Sequence, residues 1–188
     1  KIRGGEVQHT GVIPFLKKFE ATVRSCTQNG VRGGNATVHF PIWHQEIKDI
    51  IVLKNNKGTE DNRARKMDYS IQISKLFYER FITEGDITLF SPHEVPSLVK
   101  AWGTPKFDEL YVKCEKDKTL SSRKVSAQNL FFDILKERAE TGRIYIMNID
   151  HCNTHSSFKD RITMSNLCQE ITLPTKPIQH IDDEKGEI

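Results

Sequence analysis

Asn166, Cys168 and Glu170 lie at positions i, i+2 and i+4 of the stretch Ser165-Asn166-Leu167-Cys168-Gln169-Glu170. On an extended backbone successive side chains alternate sides, so this spacing predicts that the three share one face. On a helix, i and i+2 would point apart, and Pro174 and Pro177 exclude a helix just beyond. One extended segment would then present a thiol able to act as a nucleophile or redox centre, a carboxylate able to move a proton, and a neutral amide able to orient a ligand. The same residues also fit a strand with a buried structural Cys, the commonest fate of a free cysteine. Spacing alone favours that plainer alternative.

Three other stretches carry chemistry-bearing residue types. Gln28-Asn29-Gly30-Val31-Arg32-Gly33-Gly34 is a glycine loop in which the backbone can approach a ligand closely, with Gln28 and Arg32 able to hydrogen-bond it. It lacks the Lys-Ser/Thr of a phosphate-binding P-loop, and a plain flexible connection fits it equally well. Asp150-His151-Cys152-Asn153-Thr154-His155 contains metal-ligand types, but no partner cluster completes a zinc set, so the expectation is no metal and polar packing at a strand end. Lys54 to Lys66 is basic with acidic interruptions and no aromatics, which reads as a solvated loop. Arg3, beside Gly4-Gly5, could meet a phosphate.

The elements that must position these residues follow from periodicity. Helices are predicted from about Val12 to Cys26, Trp43 to Lys54, Lys75 to Glu84, His93 to Trp102, Lys106 to Lys116 and Lys124 to Thr141, the last ended by Gly142. Strands are predicted at Asn35–Phe40, Tyr69–Ile73, Asp86–Phe90 and Arg143–Ile149, the last apolar enough for a parallel sheet covered on both faces. Asp150 to Arg161 reads as a polar loop. The alternation argues an α/β protein with a parallel sheet, whose ligands bind at the C-terminal strand ends.

The chain has 188 residues with 37% hydrophobic and 28% charged content, enough for one domain with a core. No apolar run approaches a membrane span, and a net charge of +3 is too weak to argue for nucleic acid. Four scattered cysteines without a CxxC pair fit a reducing, cytoplasmic compartment. Both ends read as cut, so the expectation is a single incomplete piece, 1–188, of a larger domain.

Taken together, several stretches resemble one family, the large catalytic subunit of aerobic class I ribonucleotide reductase. They are Asn29-Gly30-Val31-Arg32-Gly33-Gly34, Leu53-Lys54-Asn55-Asn56-Lys57-Gly58, Asn62-Arg63, Met67-Asp68-Tyr69, Asp86-Ile87-Thr88-Leu89-Phe90-Ser91-Pro92, Thr141-Gly142-Arg143-Ile144-Tyr145, Asp150 to His155, and Ser165-Asn166-Leu167-Cys168 with Glu170. The similarity covers essentially the whole chain.

The resemblance implies a ten-stranded α/β barrel. This chain would be its first half-barrel of parallel strands with connecting helices, plus the central finger loop at about 162–174 and a specificity loop at about 27–35. It implies reduction of ribonucleoside diphosphates by a thiyl-radical mechanism. Cys168 would carry the radical that abstracts the ribose 3′ hydrogen, Glu170 would accept the 3′-hydroxyl proton, and Asn166 would bind the ribose. Gln28 and Arg32 would relay effector identity to the substrate base, and Arg3 would contact effector phosphate. The implied partners are a diiron-tyrosyl small subunit that supplies the radical, a second large subunit, thioredoxin or glutaredoxin, and ATP or deoxynucleoside triphosphate effectors. No cofactor is expected in the segment itself. The flanking Leu167, Ile171 and Leu173 suit a buried loop tip, as a thiyl radical requires. The family's disulfide-forming cysteines would lie upstream of Lys1 and just beyond Ile188, and Cys26, Cys114 and Cys152 do not match them. Two readings from other classes stand beside this one: a thiol hydrolase using Cys168 with His151 or His155 as base, and a non-catalytic nucleotide-binding module built on the glycine loop.

Overall fold

The alternation Asp68-Tyr69-Ser70-Ile71-Gln72-Ile73 gives the central strand two chemically different faces. In the computed structural model, which describes residues 10–175, this strand is β4 (Asp68–Ile73; the strands before it are β1, Thr27–Gln28, β2, Arg32–Gly33, and β3, Thr37–Pro41). All six β4 residues are buried. β3 and β7 (Ile144–Asn148) flank β4, both parallel to it. Parallel neighbours need long crossovers. These are supplied by α2 (Ile47–Ile51) between β3 and β4, and by α3 (Lys75–Ile82), β5 (Asp86–Phe90), α4 (Pro96–Ala101), α5 (Phe107–Lys116), β6 (Ser122–Ser126) and α6 (Ala127–Thr141) between β4 and β7.

Tyr69, Ile71 and Ile73 project to one side and join the core with Ile47 and Ile50 of α2, Phe77 of α3, and Leu130 and Ile134 of α6. Complete burial of each large apolar side chain contributes about 1.5–3 kcal/mol. The other side is polar. In register there are Thr37 and His39 of β3, Ser70 and Gln72 of β4, and Tyr145 and Met147 of β7. Asp68, Ser70 and Gln72 are nonetheless buried: the segment after β7 crosses over Ser70 and Gln72, and Lys54 sits against Asp68. A parallel sheet backed by helices on one face and facing a polar interior on the other is part of an α/β barrel.

Most of the predicted helices form, but several boundaries move. α1 (Ile13–Ser25), α3 and α5 match the periodicity closely, and α6 ends at Gly142 (φ 69), whose N–H donates to the Arg138 carbonyl at 2.7 Å. The helix predicted over Trp43–Lys54 shrinks to α2. Its first residues form turns around a single bridge between His44 and Phe90 and so dock on β5: the Phe90 N–H donates to the Trp43 carbonyl at 2.9 Å and the Gln45 N–H to the Phe90 carbonyl at 2.8 Å. The helix predicted from Lys124 begins at Ala127, because Ser122–Ser126 pairs antiparallel with β5, and the Ser126 hydroxyl caps α6 by accepting from the Asn129 N–H. The polar loop predicted after β7 opens instead with α7 (Ile149–Thr154). Its Asp150 carboxylate accepts the Lys75 N–H at 2.7 Å, at the start of α3.

The motif Leu53-Lys54-Asn55 is structural rather than a solvated loop. Leu53 is buried. The Lys54 ammonium donates to the carbonyls of Arg65 at 2.9 Å and Met67 at 2.7 Å and to Asp68 Oδ1 at 3.0 Å, using all three of its donors. Asn55 Nδ2 donates to both carboxylate oxygens of the buried Glu137 on α6, at 3.0 and 2.8 Å. Residues 56–62 of the same stretch are exposed, as predicted.

Candidate active site

The segment from Ile162 to Thr175 leaves α7 and lies across the polar face of the sheet. Asn153 of α7 fixes its start, donating from Nδ2 to the Ile162 carbonyl and accepting the Ile162 N–H at Oδ1, at 3.0 and 2.9 Å. From the sheet, Gln72 Nε2 donates to the Thr163 carbonyl at 2.7 Å, His39 Nε2 to the Ser165 carbonyl at 3.2 Å, and Thr37 Oγ1 to the Leu167 carbonyl at 2.5 Å. Gln169 is held through Ser70 Oγ, which donates to its Oε1 at 2.5 Å, and through its own Nε2, which donates to the Ile146 carbonyl at 2.7 Å. The polar residues of β3 and β4 are therefore the loop's anchors.

Within the loop the backbone is not the extended segment that the i, i+2, i+4 spacing predicts. The Gln169 N–H donates to the Asn166 carbonyl at 3.2 Å, closing a turn with Leu167 and Cys168 at its centre, and Gln169 takes a left-handed φ of 63. The correction has a clear cause. The extended form would forgo the long-range bonds to the sheet, and those bonds outweigh the roughly 1–2 kcal/mol that a left-handed non-glycine residue costs. Asn166 Oδ1 accepts the Ile171 N–H at 3.0 Å and the Ser165 hydroxyl at 3.2 Å, and Ser165 Oγ also donates to the Ile171 carbonyl. The oxygen of the Asn166 amide thus closes the base of the loop. Its Nδ2 makes no hydrogen bond among the described residues.

All three residues lie on this loop, but its surroundings differ from expectation. Cys168 is exposed within the described residues. Glu170, Ile171 and Leu173 are exposed and Asn166 and Leu167 half-buried, so the tip is not buried within this segment. Tyr145 of β7 neighbours Cys168. Its phenol is pushed above its ordinary pKa by burial first, then by the neighbouring Cys168 and Asp68, with Arg143 opposing. Tyr145 and the anchors Thr37, His39, Ser70, Gln72 and Gln169 were not singled out from sequence. The alternation of β4 and the parallel register are the signals that could have placed them.

The glycine loop is an antiparallel hairpin: β1 pairs with β2, Thr27 opposite Gly33 and Gln28 opposite Arg32. Asn29 (φ 52) and Gly30 (φ 70) open its three-residue tip, so Asn29 takes the left-handed form that asparagine tolerates. Gly34 packs against the end of α1, where an added Cβ would lie 2.2 Å from the Val23 carbonyl oxygen. Arg32 is exposed. No hydrogen bond or ion pair joins Arg32 to the Cys168 loop among the described residues. The link is through the chain, since the hairpin runs directly into β3 and its anchors Thr37 and His39. Arg3 lies outside the described residues.

The other predicted sites resolve differently. His151 and His155 sit on α7 with rings 5.4 Å apart and edge-on, and neither hydrogen-bonds Cys168. Among the described residues no group of three or more His, Cys, Asp or Glu could hold a metal ion, and no helix is long and apolar enough to cross a membrane.

A family model described as ribonucleotide reductase, barrel domain, matches residues 1–181. A ribonucleoside-diphosphate reductase subunit alpha of Haemophilus influenzae is 57% identical, over 100% of this chain and 26% of its own length. The ribonucleoside-diphosphate reductase 1 subunit alpha of Escherichia coli is 54% identical, over 94% of this chain and 24% of its own length. The subunit alpha of Enterobacteria phage T4 is 47% identical, over 99% and 26%. The chain spans about a quarter of the length of these curated relatives.

Proposed function

The chain belongs to the ribonucleotide reductase barrel-domain family, and from that premise we propose that the protein of which it is a segment reduces ribonucleoside diphosphates to 2′-deoxyribonucleoside diphosphates. Cys168 is the hydrogen-abstracting residue. As a thiyl radical its sulfur takes the hydrogen atom from the ribose 3′ carbon, forming an S–H bond and leaving the unpaired electron on that carbon. Glu170 takes the proton of the 3′-hydroxyl, and the 2′-hydroxyl, given a proton by a thiol of the reducing cysteine pair, leaves as water. Asn166 binds the ribose through the amide nitrogen that its loop contacts leave unused. The two reducing electrons come from a cysteine pair elsewhere in the protein, which thioredoxin or glutaredoxin later reduces. A diiron-tyrosyl small subunit supplies the radical.

The observation that carries this reading is the loop itself. A thiol, a carboxylate and an amide lie within five residues, on a turn fastened at its backbone and side chains to all three parallel strands. Such fastening supplies orientation before substrate arrives. The exposure of Cys168 fits a site completed by the rest of the barrel, which would exclude water from the radical.

Regulation follows the same path. Effector bound at the interface of a large-subunit dimer, with Arg3 on its phosphates, would reposition the hairpin of Gln28 and Arg32 against the substrate base. The protein would work in the cytoplasm.

The test is the full-length protein, mixed with its small subunit and a dithiol reductant and assayed for deoxyribonucleoside diphosphate. Product formation that requires both supports the reading. Absence of product would overturn it. Rapid alkylation of Cys168 near neutral pH would point to the hydrolase instead, and nucleotide binding unaffected by replacing the trio to a binding module.

A further inference from the structure

We propose that Gln169 is the positioning residue for Cys168, acting with Ser70 as a clamp that sets where the sulfur stands. This rests on the reductase reading above and adds to it a residue pair outside the reacting trio.

Cys168 sits between two residues that are each tied to the sheet. On one side the Leu167 carbonyl accepts from Thr37 Oγ1 of β3 at 2.5 Å. On the other, Gln169 uses both ends of its amide, taking Ser70 Oγ of β4 at 2.5 Å and giving to the Ile146 carbonyl of β7 at 2.7 Å. Ser70 has 0% exposure, so its hydroxyl has no water to turn to. In register, Ser70 stands opposite Tyr145 and Ile71 opposite Ile146. Gln169 therefore spans the seam between β4 and β7 beside Tyr145, the neighbour of Cys168 on β7.

The backbone at Gln169 depends on this clamp. It holds a φ of 63 while its N–H closes the turn at 3.2 Å on the Asn166 carbonyl. Left-handed backbone at a non-glycine residue persists where the surroundings over-determine it. Here the surroundings are two hydrogen bonds to two strands. Without them the turn has reason to relax toward the extended form, and Cys168, at its centre, would move with it. Hydrogen-atom transfer demands close approach and alignment, and a displacement of about 1 Å can cost on the order of 100-fold in rate. A side chain that only stapled the loop would, when lost, reduce the amount of folded enzyme and leave the chemistry of each remaining site unchanged. The two roles are therefore separable.

The experiment uses the full-length protein with its small subunit. Gln169→Leu keeps the side chain's bulk and removes both bonds, Ser70→Ala removes one of them, and the double variant removes the same two bonds as Gln169→Leu. Each is assayed with ordinary substrate and with substrate deuterated at the ribose 3′ carbon, beside its melting temperature. The expected result for Gln169→Leu is a kcat lower by about 10- to 100-fold with KM within about 2-fold, and a deuterium isotope effect on kcat larger than that of the unsubstituted protein. Ser70→Ala shows the same changes at roughly 5-fold, and the double variant matches Gln169→Leu, because the two residues form one unit. If Gln169→Leu does not fold, Ser70→Ala decides alone. Unchanged kcat, or a fall in kcat with an unchanged isotope effect, in whichever variant folds would overturn the proposal. Failure of the unsubstituted protein to reduce substrate removes the reductase reading and the clamp together, and is read from a separate arm.

Discussion

Asn166 Oδ1 accepts the backbone N–H of Ile171 at 3.0 Å, across the base of the turn that carries Cys168. The amide oxygen is thereby committed to the loop, and the nitrogen is the atom free for the ribose contact proposed above. The two ends of one side chain can be tested apart. Asn166→Asp keeps an acceptor for the Ile171 N–H and the Ser165 hydroxyl but removes the donor. It is expected to keep the wild-type melting temperature and lose about 10-fold or more in kcat/KM. Asn166→Ala loses the loop closure as well, so both kcat and the melting temperature fall. Steady-state assays and thermal melts of the two variants in the full-length protein check this, and an Asp variant as efficient as the wild type would refute the donor role.

Lys54 holds the entry to β4. Its ammonium meets two carbonyls and Asp68, whose side chain is only 6% exposed. Arg143, at 4.0 Å, is Asp68's other cationic neighbour. Lys54→Met leaves the two carbonyls unsatisfied and Asp68 without its close partner. Breaking a buried pair on one side costs roughly 3 kcal/mol. Denaturant unfolding should show a loss of that order, with activity following stability rather than falling independently. A loss below about 1 kcal/mol would show that Arg143 or water replaces the ammonium.

His39 makes the loop sensitive to pH. Burial pushes its pKa below the ordinary imidazole value, against the upward pull of the Ser165 carbonyl. Its Nε2–H faces that carbonyl, while its buried Nδ1 has no partner among the described residues. In the window between the lowered folded value and about 6.5, the unfolded chain takes up a proton that the folded one refuses. Stability is therefore complete above about pH 6.5 and declines as pH falls through that window. His44, lowered by burial with Glu46 opposing, adds a second contribution of the same sign. His39→Gln retains a donor for Ser165, so the difference in melting temperature between pH 7.5 and 5.5 should shrink without vanishing. An unchanged difference would show that His39 does not contribute.

The helices were legible because their signals are local. The stripe of Ala127, Leu130 and Ile134 on α6 and the stop at Gly142 need nothing beyond the neighbouring turns. β6 escaped because its residues Ser122 to Ser126 are largely exposed and carry two adjacent basic side chains, so only pairing with β5 defines it. The trio itself was readable as residue types, while its geometry was not. Leu167, Ser165 and Gln169 are held by partners 130, 126 and 99 residues away, and spacing within one stretch carries no trace of bonds that distant. Alternation in β4 did carry the information that one face is polar. What that face holds became visible only when the loop lay on it.

The role of Cys168 is tested by replacing it with serine in the full-length protein, beside Cys152→Ser as a control on α7. A hydroxyl matches the thiol in size, but its O–H bond is too strong to serve as the radical carrier. The account predicts that Cys168→Ser binds substrate and effector, melts like the wild type and forms no deoxyribonucleotide, while Cys152→Ser remains active. Deoxyribonucleotide formation by Cys168→Ser at the wild-type rate would contradict it.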